Sequence, residues 1–226
     1  MKTKHLTLFD LDHTLLPIDS DQSWGRFTTQ VGWTSKEDFL VKNEAFYQDY
    51  CRGELDIHAY VRFATQTIRD KGEALSNAMR ERFIQEVIAP QIKPQALSLV
   101  SEHQARGEEV VIITATNEWV TRPIADLFGV RELIALQLSR DPSGWITGEI
   151  EGTPTLGAGK LTRLQQWLTE RGSSLSDFKT TFYSDSINDA PLLGAVNFPV
   201  ATNPDDALRA LATQNGWPIL ELFAQA

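Results

Sequence analysis

Across its 226 residues the chain carries 21 Lys and Arg against 30 Asp and Glu, a net charge of −9, with 42% hydrophobic and 23% charged residues. Such a mix excludes wholesale disorder, and the acidic balance disfavours nucleic acid or an anionic membrane as a partner. A lone cysteine, Cys51, excludes an internal disulfide framework and a Cys-rich zinc site. With no apolar run of about 18 residues and no signal-peptide core, a cytoplasmic enzyme or binding protein is expected.

The first element is a short buried strand, Leu6-Thr7-Leu8-Phe9. From about Pro17 to Pro90 no convincing strand follows. The patterns there are helical, over Asp21 to Val31, Ser35 to Cys51, Ile57 to Arg69 and Ala74 to Val87, with Gly32, Gly53 and Gly72 in the gaps. Aromatic residues recur through this stretch, enough to give a small helical bundle its own core, and the stripe Trp24, Phe27 and Val31 reads as part of that core. Cys51, at a helix end with no His or Asn pattern to activate it, reads as structural.

Beyond residue 90 the period changes. A helix over Pro94 to Arg106 precedes the strand Val110-Val111-Ile112-Ile113, and a helix over Asn117 to Phe128 follows it. Leu133 to Leu138 is a weaker strand, and Ser139 to Gly152 reads as a β-hairpin turning at Asp141-Pro142-Ser143-Gly144. The helix Lys160 to Arg171 carries Leu161, Leu164, Trp167 and Leu168 on one face; Thr180 to Tyr183 and Asn197 to Ala201 close the series as strands. Strands alternating with helices imply an α/β fold, a Rossmann-like parallel sheet with helices on both faces. The expected organisation is a core of residues 1–16 and 91–226, with an all-helical insert, residues 17–90, placed after the first strand.

In open parallel sheets ligands bind beyond the carboxyl ends of the strands. Asp10-Leu11-Asp12-His13-Thr14 follows the first strand, Thr114-Ala115-Thr116-Asn117 the second, and Ser184-Asp185-Ser186-Ile187-Asn188-Asp189 the third strong one. Asp10, Asp12, Asp185 and Asp189 would thus gather near one rim, where like charges a few ångströms apart repel by several kcal/mol. Some must be protonated, or a cation must sit among them. Oxygen donors without His or Cys favour Mg²⁺.

The Asp10-x-Asp12-x-Thr14 sequence after an apolar strand resembles the opening motif of the haloacid dehalogenase superfamily. Thr114 ending a strand is similar to its second motif, and Lys160 after Gly157-Ala158-Gly159 to its third. Asp185 and Asp189 match the acid pair of the fourth, with Ser184 where Gly is usual. The motifs occur in the family's order, and a helical insert between the first and second is similar to the cap of the phosphoserine-phosphatase-like branch.

That resemblance implies a Mg²⁺-dependent phosphatase of a small phosphorylated metabolite. Asp10 would be the nucleophile, forming an aspartyl-phosphate, and Asp12 the general acid and base. Thr114, the nearby backbone at Ala115, and Lys160 would hold the phosphoryl group, with Asn188 beside it. Asp10, Asp12 through its carbonyl, and Asp185 would hold the metal; Asp189 would bind a metal water or orient Lys160. Arg52 and Arg26 of the insert are the candidates for a substrate carboxylate or a second phosphate, against a solvated role. Gly157-Ala158-Gly159-Lys160 is not a nucleotide P-loop, because Leu161 stands where Ser or Thr is needed and Pro154 holds the first glycine position. His13 reads as a turn or packing residue. A phosphotransferase to an acceptor other than water and a non-catalytic phospho-ligand module both stay open, and so does the oligomeric state.

Overall fold

A computed structural model describes residues 4–223, except the side chains of Asp38 and Cys51, so the reading of the Cys51 thiol lies outside the described residues. The chain begins with β1 (Lys4–Phe9) and continues through α1 (Ser20–Gln30), α2 (Lys36–Arg52), α3 (Ile57–Ala64), α4 (Gln66–Lys71) and α5 (Glu73–Phe83). Then come α6 (Pro94–Ala105), β2 (Glu109–Asn117), α7 (Glu118–Leu127), β3 (Glu132–Arg140) and β4 (Ile146–Glu151). The last part comprises α8 (Ala158–Glu170), β5 (Phe178–Ser184), α9 (Ala190–Leu193), β6 (Phe198–Thr202), α10 (Asp206–Asn215) and β7 (Ile219–Leu220).

Among the described residues the strands form one sheet in the order β4-β3-β2-β1-β5-β6-β7, parallel except for β4, which runs antiparallel to β3. β1 sits at the centre, Leu6 opposite Glu109 on one side and Thr180 on the other. Both faces are covered, which is why its strands read as apolar runs rather than alternating ones. The strand period still sorts the side chains. Leu6, Leu8, Val111 and Ile113 enter the core beneath α8, α9 and α10; Phe9, Val110, Ile112 and Tyr183 enter the other, with Val100 of α6 and Val120 of α7. The order reverses at β1, where β2 lies on one side and β5 on the other, and a crevice at their carboxyl ends follows from that reversal.

The stretch between β1 and α6 is helical throughout its regular elements, as the sequence implies, with two differences. The single helix expected over Ile57 to Arg69 is broken at Thr65, whose hydroxyl and N–H both bond to the carbonyl of Val61. Nor does the insert keep its aromatics to a private core. Phe39, Phe46, Tyr60 and Phe63 do cluster between α2 and α3. Trp24, Phe27 and Phe83, however, join the sheet-side core, Trp24 meeting Trp119 of α7 edge-to-face at 5.2 Å. An apolar face that large is buried best against an existing apolar surface. The hairpin strand β4 also meets the insert, Glu149 pairing with Arg62 at 3.1 Å.

α8 starts where two backbone segments touch. A Cβ on Gly159 would lie 1.9 Å from the carbonyl oxygen of Pro154, so only glycine lets this turn pass the preceding loop. Gly159→Ala should therefore cost about 1–3 kcal/mol of overpacking strain and lower Tm by roughly 3–10 °C. Thermal unfolding checks this; an unchanged Tm would show that the loop has room to move.

Candidate active site

The loop from β1 to α1 is built around buried Leu11, Leu15 and Leu16. Its reversal places His13 in the left-handed region at φ 57°, and the carbonyl of His13 accepts a hydrogen bond from Nδ2 of Asn203 at 2.9 Å. His13 is thus a turn residue, as expected, although it also lines the cleft. Asn203, itself at φ 47°, ties this loop to the one after β6. The N–H of Asp10 donates to the carbonyl of Tyr183 at 2.9 Å, which carries the β1–β5 pairing one residue beyond β1.

Asp10 thereby stands at the rim, with Nζ of Lys160 at 2.9 Å from its Oδ1. The same ammonium lies 2.7 Å from Oδ2 of Asp189, which also accepts from the hydroxyl of Ser184 at 2.6 Å. Lys160 is only 3% exposed. Burial works against its charge, but Asp10 and Asp189 outweigh that and hold the ammonium above the ordinary lysine range. Asp189 is engaged as the counter-ion of Lys160, one of the two expectations for it.

Asp185 accepts from the hydroxyl of Thr14 at 2.9 Å. Burial, and then the charge of Asp10, push its carboxyl well above the usual carboxylate range. Asp12 is held at both oxygens, Oδ1 by the N–H of Ser20 at 2.7 Å and Oδ2 by the hydroxyl of Thr116 at 2.8 Å. Burial, reinforced by Asp19, raises it to about 6. Thr114 is buried, and its Oγ1 accepts from the N–H of Thr116 at 3.1 Å. Thr114, Ala115, Lys160, Asp185 and Asn188 line one cleft with Asp10 and Asp12, of about 720 Å³, a size suited to a small metabolite.

The donor set fits a divalent cation. Asp10 and Asp189 take up the single ammonium of Lys160, and among the described residues Asp185 beside them has no cation in contact, which leaves an excess of negative charge in a largely buried place. Among the described residues no three His, Cys, Asp or Glu side chains come together as a ready-made metal site. Asp10 and Asp185 could supply carboxylate oxygens, with main-chain oxygen and water completing the shell. That economy suits a small hard cation that keeps its water.

Two expected residues do not reach the cleft. Arg52, at the end of α2, is half-exposed and pairs with Asp49 and Glu54; Arg26 projects from α1 as an exposed residue and does not line the cleft. The cleft wall that the insert does supply is acidic and aromatic, with Asp19, Asp21, Phe46, Tyr50 and Tyr60. The hydroxyl of Tyr50 reaches across to Ser186 at 3.2 Å. Asp19 caps α1 through the N–H of Gln22, and Asp21 accepts from the hydroxyl of Tyr60. The helical periodicity marks neither acid as more than a first-turn residue, and no motif marks the tyrosines. Ser20 lies inside the insert yet orients Asp12, so the motif residues are not independent of that stretch.

The model of the haloacid dehalogenase-like hydrolases matches residues 7–194. A histidinol-phosphatase of Neisseria meningitidis is 44% identical over 219 residues, which are 96% of this chain and 98% of that protein. A solved structure of a protein with unknown function from Bordetella pertussis Tohama I is 42% identical, with a TM-score of 0.92, covering 98% of this chain and all of that one. A substrate-bound phosphoserine phosphatase shares the fold at a TM-score of 0.64 and 20% identity, over 98% of this chain and 94% of that one.

Two predictions follow from the charges. Lys160→Met strands two buried carboxylates and should destabilise the metal-free protein by roughly 3–5 kcal/mol. Adding Asp189→Asn should recover part of that loss in urea unfolding, and a further loss in the double variant would contradict the pairing. Asp21 is the second case. It ionises at about 6 when folded, raised from 3.8 by burial and, to a lesser extent, by Asp12. The folded chain then holds a proton that the unfolded chain gives up between those values, so stability falls as pH rises through that window. Asp21→Asn should raise Tm by about 5–10 °C at about pH 8 and do nothing at about pH 3.5; an equal effect at both would contradict it.

Proposed function

The chain belongs to the haloacid dehalogenase-like hydrolases, residues 7–194 matching that family, and on that premise we propose that it is a Mg²⁺-dependent phosphatase working through an aspartyl-phosphate on Asp10. The observation that carries this reading is the carboxylate of Asp10 at the end of the central strand, 2.9 Å from a buried lysine and in one cleft with Asp12, Thr114 and Asp185. We carry over histidinol phosphate as the substrate from the Neisseria meningitidis relative, because the similarity spans both chains nearly end to end.

Each residue has a part that its surroundings support. Asp10 attacks phosphorus, forming an Asp10 Oδ–P bond as the ester P–O bond breaks. Lys160 and the Thr114 hydroxyl stabilise the charge on the phosphoryl oxygens; Asp189 keeps the ammonium aimed. Asp10 and Asp185 would hold Mg²⁺, which would supply the positive charge that lets a carboxylate approach a phosphate dianion. Asp12, with a value of about 6, can hold a proton near neutrality. It gives that proton to the leaving alkoxide, then takes one from the water that cleaves the Asp10–phosphate bond and frees inorganic phosphate. Asp12 is suited to both steps because Ser20 and Thr116 fix its direction.

Asp10→Asn should leave a folded protein whose phosphate release from histidinol phosphate falls at least about 10³-fold, as expected when a covalent step is removed. Excess chelator should abolish wild-type release, and added Mg²⁺ should restore it. Turnover by Asp10→Asn within about tenfold of wild type, or full activity in chelator, would contradict the reading. Stoichiometric free phosphate without an added alcohol separates hydrolysis from transfer to another acceptor.

A further inference from the structure

The turn between β6 and α10 belongs to none of the four motifs, yet it is bonded to both acidic loops of the site. Nδ2 of Asn203 donates to the carbonyl of His13 at 2.9 Å and to that of Thr14 at 3.5 Å. Oδ1 of Asn203 accepts from the N–H of Leu222 at 2.7 Å, so the same amide anchors the segment after β7. Two residues on, the N–H of Asp205 donates to the carbonyl of Asp185 at 2.8 Å, and Oδ2 of Asp205 accepts from the N–H of Ile187 at 3.0 Å. Asn203 thus holds the loop of Asp10 and Asp12, and Asp205 holds the loop of Asp185 and Asp189. Pro204 between them is buried, and its ring fixes φ, which keeps the two anchors at a set distance.

The backbone marks the same place. Among the described residues His13 and Asn203 are the two non-glycine residues in the left-handed region, at φ 57° and 47°, and they are bonded to each other. Such conformations persist where the surrounding contacts over-determine them. The charges show what needs holding. Asp10 and Asp185 follow the adjacent strands β1 and β5, and the charge of Asp10 works against that of Asp185. Like charge pushes these loops apart, whereas a divalent cation needs oxygens at set distances. Thr14 bridges the loops, its hydroxyl donating to Oδ1 of Asp185 at 2.9 Å, and its carbonyl is one of the two that Asn203 takes.

We propose that Asn203 and Asp205 are positioning residues of the metal site, which set the spacing of the Asp10 and Asp185 loops so that Mg²⁺ is taken up without prior rearrangement. Each acts through the loop it holds, as the partners behind metal ligands do when they tune affinity. The proposal rests on the phosphatase reading above.

The test measures Mg²⁺ affinity apart from turnover, by competition with Mn²⁺ whose free fraction is read by electron paramagnetic resonance. It compares the wild type with Asn203→Gly, Asp205→Ser and Asp205→Ala. Glycine keeps the left-handed turn without the amide. Serine keeps the cap of α10, which Oδ1 of Asp205 gives to the N–H of Leu208, but lacks the second oxygen that holds Ile187. Asn203→Gly and Asp205→Ser should each weaken Mg²⁺ binding by about tenfold or more. The Mg²⁺ concentration for half-maximal phosphate release from histidinol phosphate should rise by the same factor. Asp205→Ala should lose no more Mg²⁺ affinity than Asp205→Ser, although its Tm falls further with the cap. Wild-type affinity in a folded Asn203→Gly or Asp205→Ser would overturn the proposal while leaving the phosphatase reading intact; affinity lost in Asp205→Ala alone would mark Asp205 as a helix cap only. A wild type that binds neither ion would overturn both. Should Asn203→Gly fail to fold, Asp205→Ser decides.

Discussion

A charged ammonium at 3% exposure is tolerable only with its counter-ions in contact, and Lys160 has Asp10 and Asp189 at 2.9 and 2.7 Å. That requirement brings together three segments far apart in the chain, the end of β1, the first turn of α8 and the turn after β5. The close passage of Gly159 over Pro154 sets the depth at which the lysine enters. Ser184, small enough to sit beneath the pair, gives its hydroxyl to Asp189 at 2.6 Å. With Asp10 and Asp189 occupied in this way, Asp185 is the carboxylate left in conflict. The carboxylates thus carry more negative charge than Lys160 neutralises, beside an Asp10 carboxylate that the ammonium already holds.

The insert is bound to this arrangement at several points. Trp24 and Phe83 share a core with Trp119, Ser20 holds Asp12, and Tyr50 touches Ser186. Movement of the insert as a detached lid would break those contacts. Ser20 and Trp24 lie in α1, Tyr50 in α2 and Phe83 in α5, so these ties are spread along the insert. The carboxylates around Lys160 and the acids Asp19 and Asp21 of the insert thus line one cleft.

Much of this was legible in the order of residues because strands end abruptly. Asp10, Thr114 and Asp185 each follow a run of apolar residues buried on both faces, and a polar residue there has one place to go, the rim. The helical insert was legible from its period and its glycines. What the pattern did not show is tertiary in origin. Thr65 reads as an ordinary helix residue until its hydroxyl turns back on Val61. Trp24 belongs to a helical stripe whichever core that stripe joins. Arg52 and Arg26 drew attention by their charge, yet Asp49 and Glu54 hold one away from the cleft and the outer face of α1 carries the other. Asp19 and Asp21 escaped notice for the converse reason, since acids at the start of a helix already have a capping role.

The proposed function turns on Asp10 as the residue that takes the phosphoryl group. The most direct measurement is to quench the enzyme in acid during turnover of histidinol phosphate with Mg²⁺, reduce the acyl-phosphate with borohydride, and map the modified residue by peptide mass spectrometry. Modification of Asp10 alone, absent when substrate or Mg²⁺ is omitted, is the predicted result. Modification of another carboxylate such as Asp12 or Asp185, or turnover with no trapped acyl-phosphate at all, would contradict it.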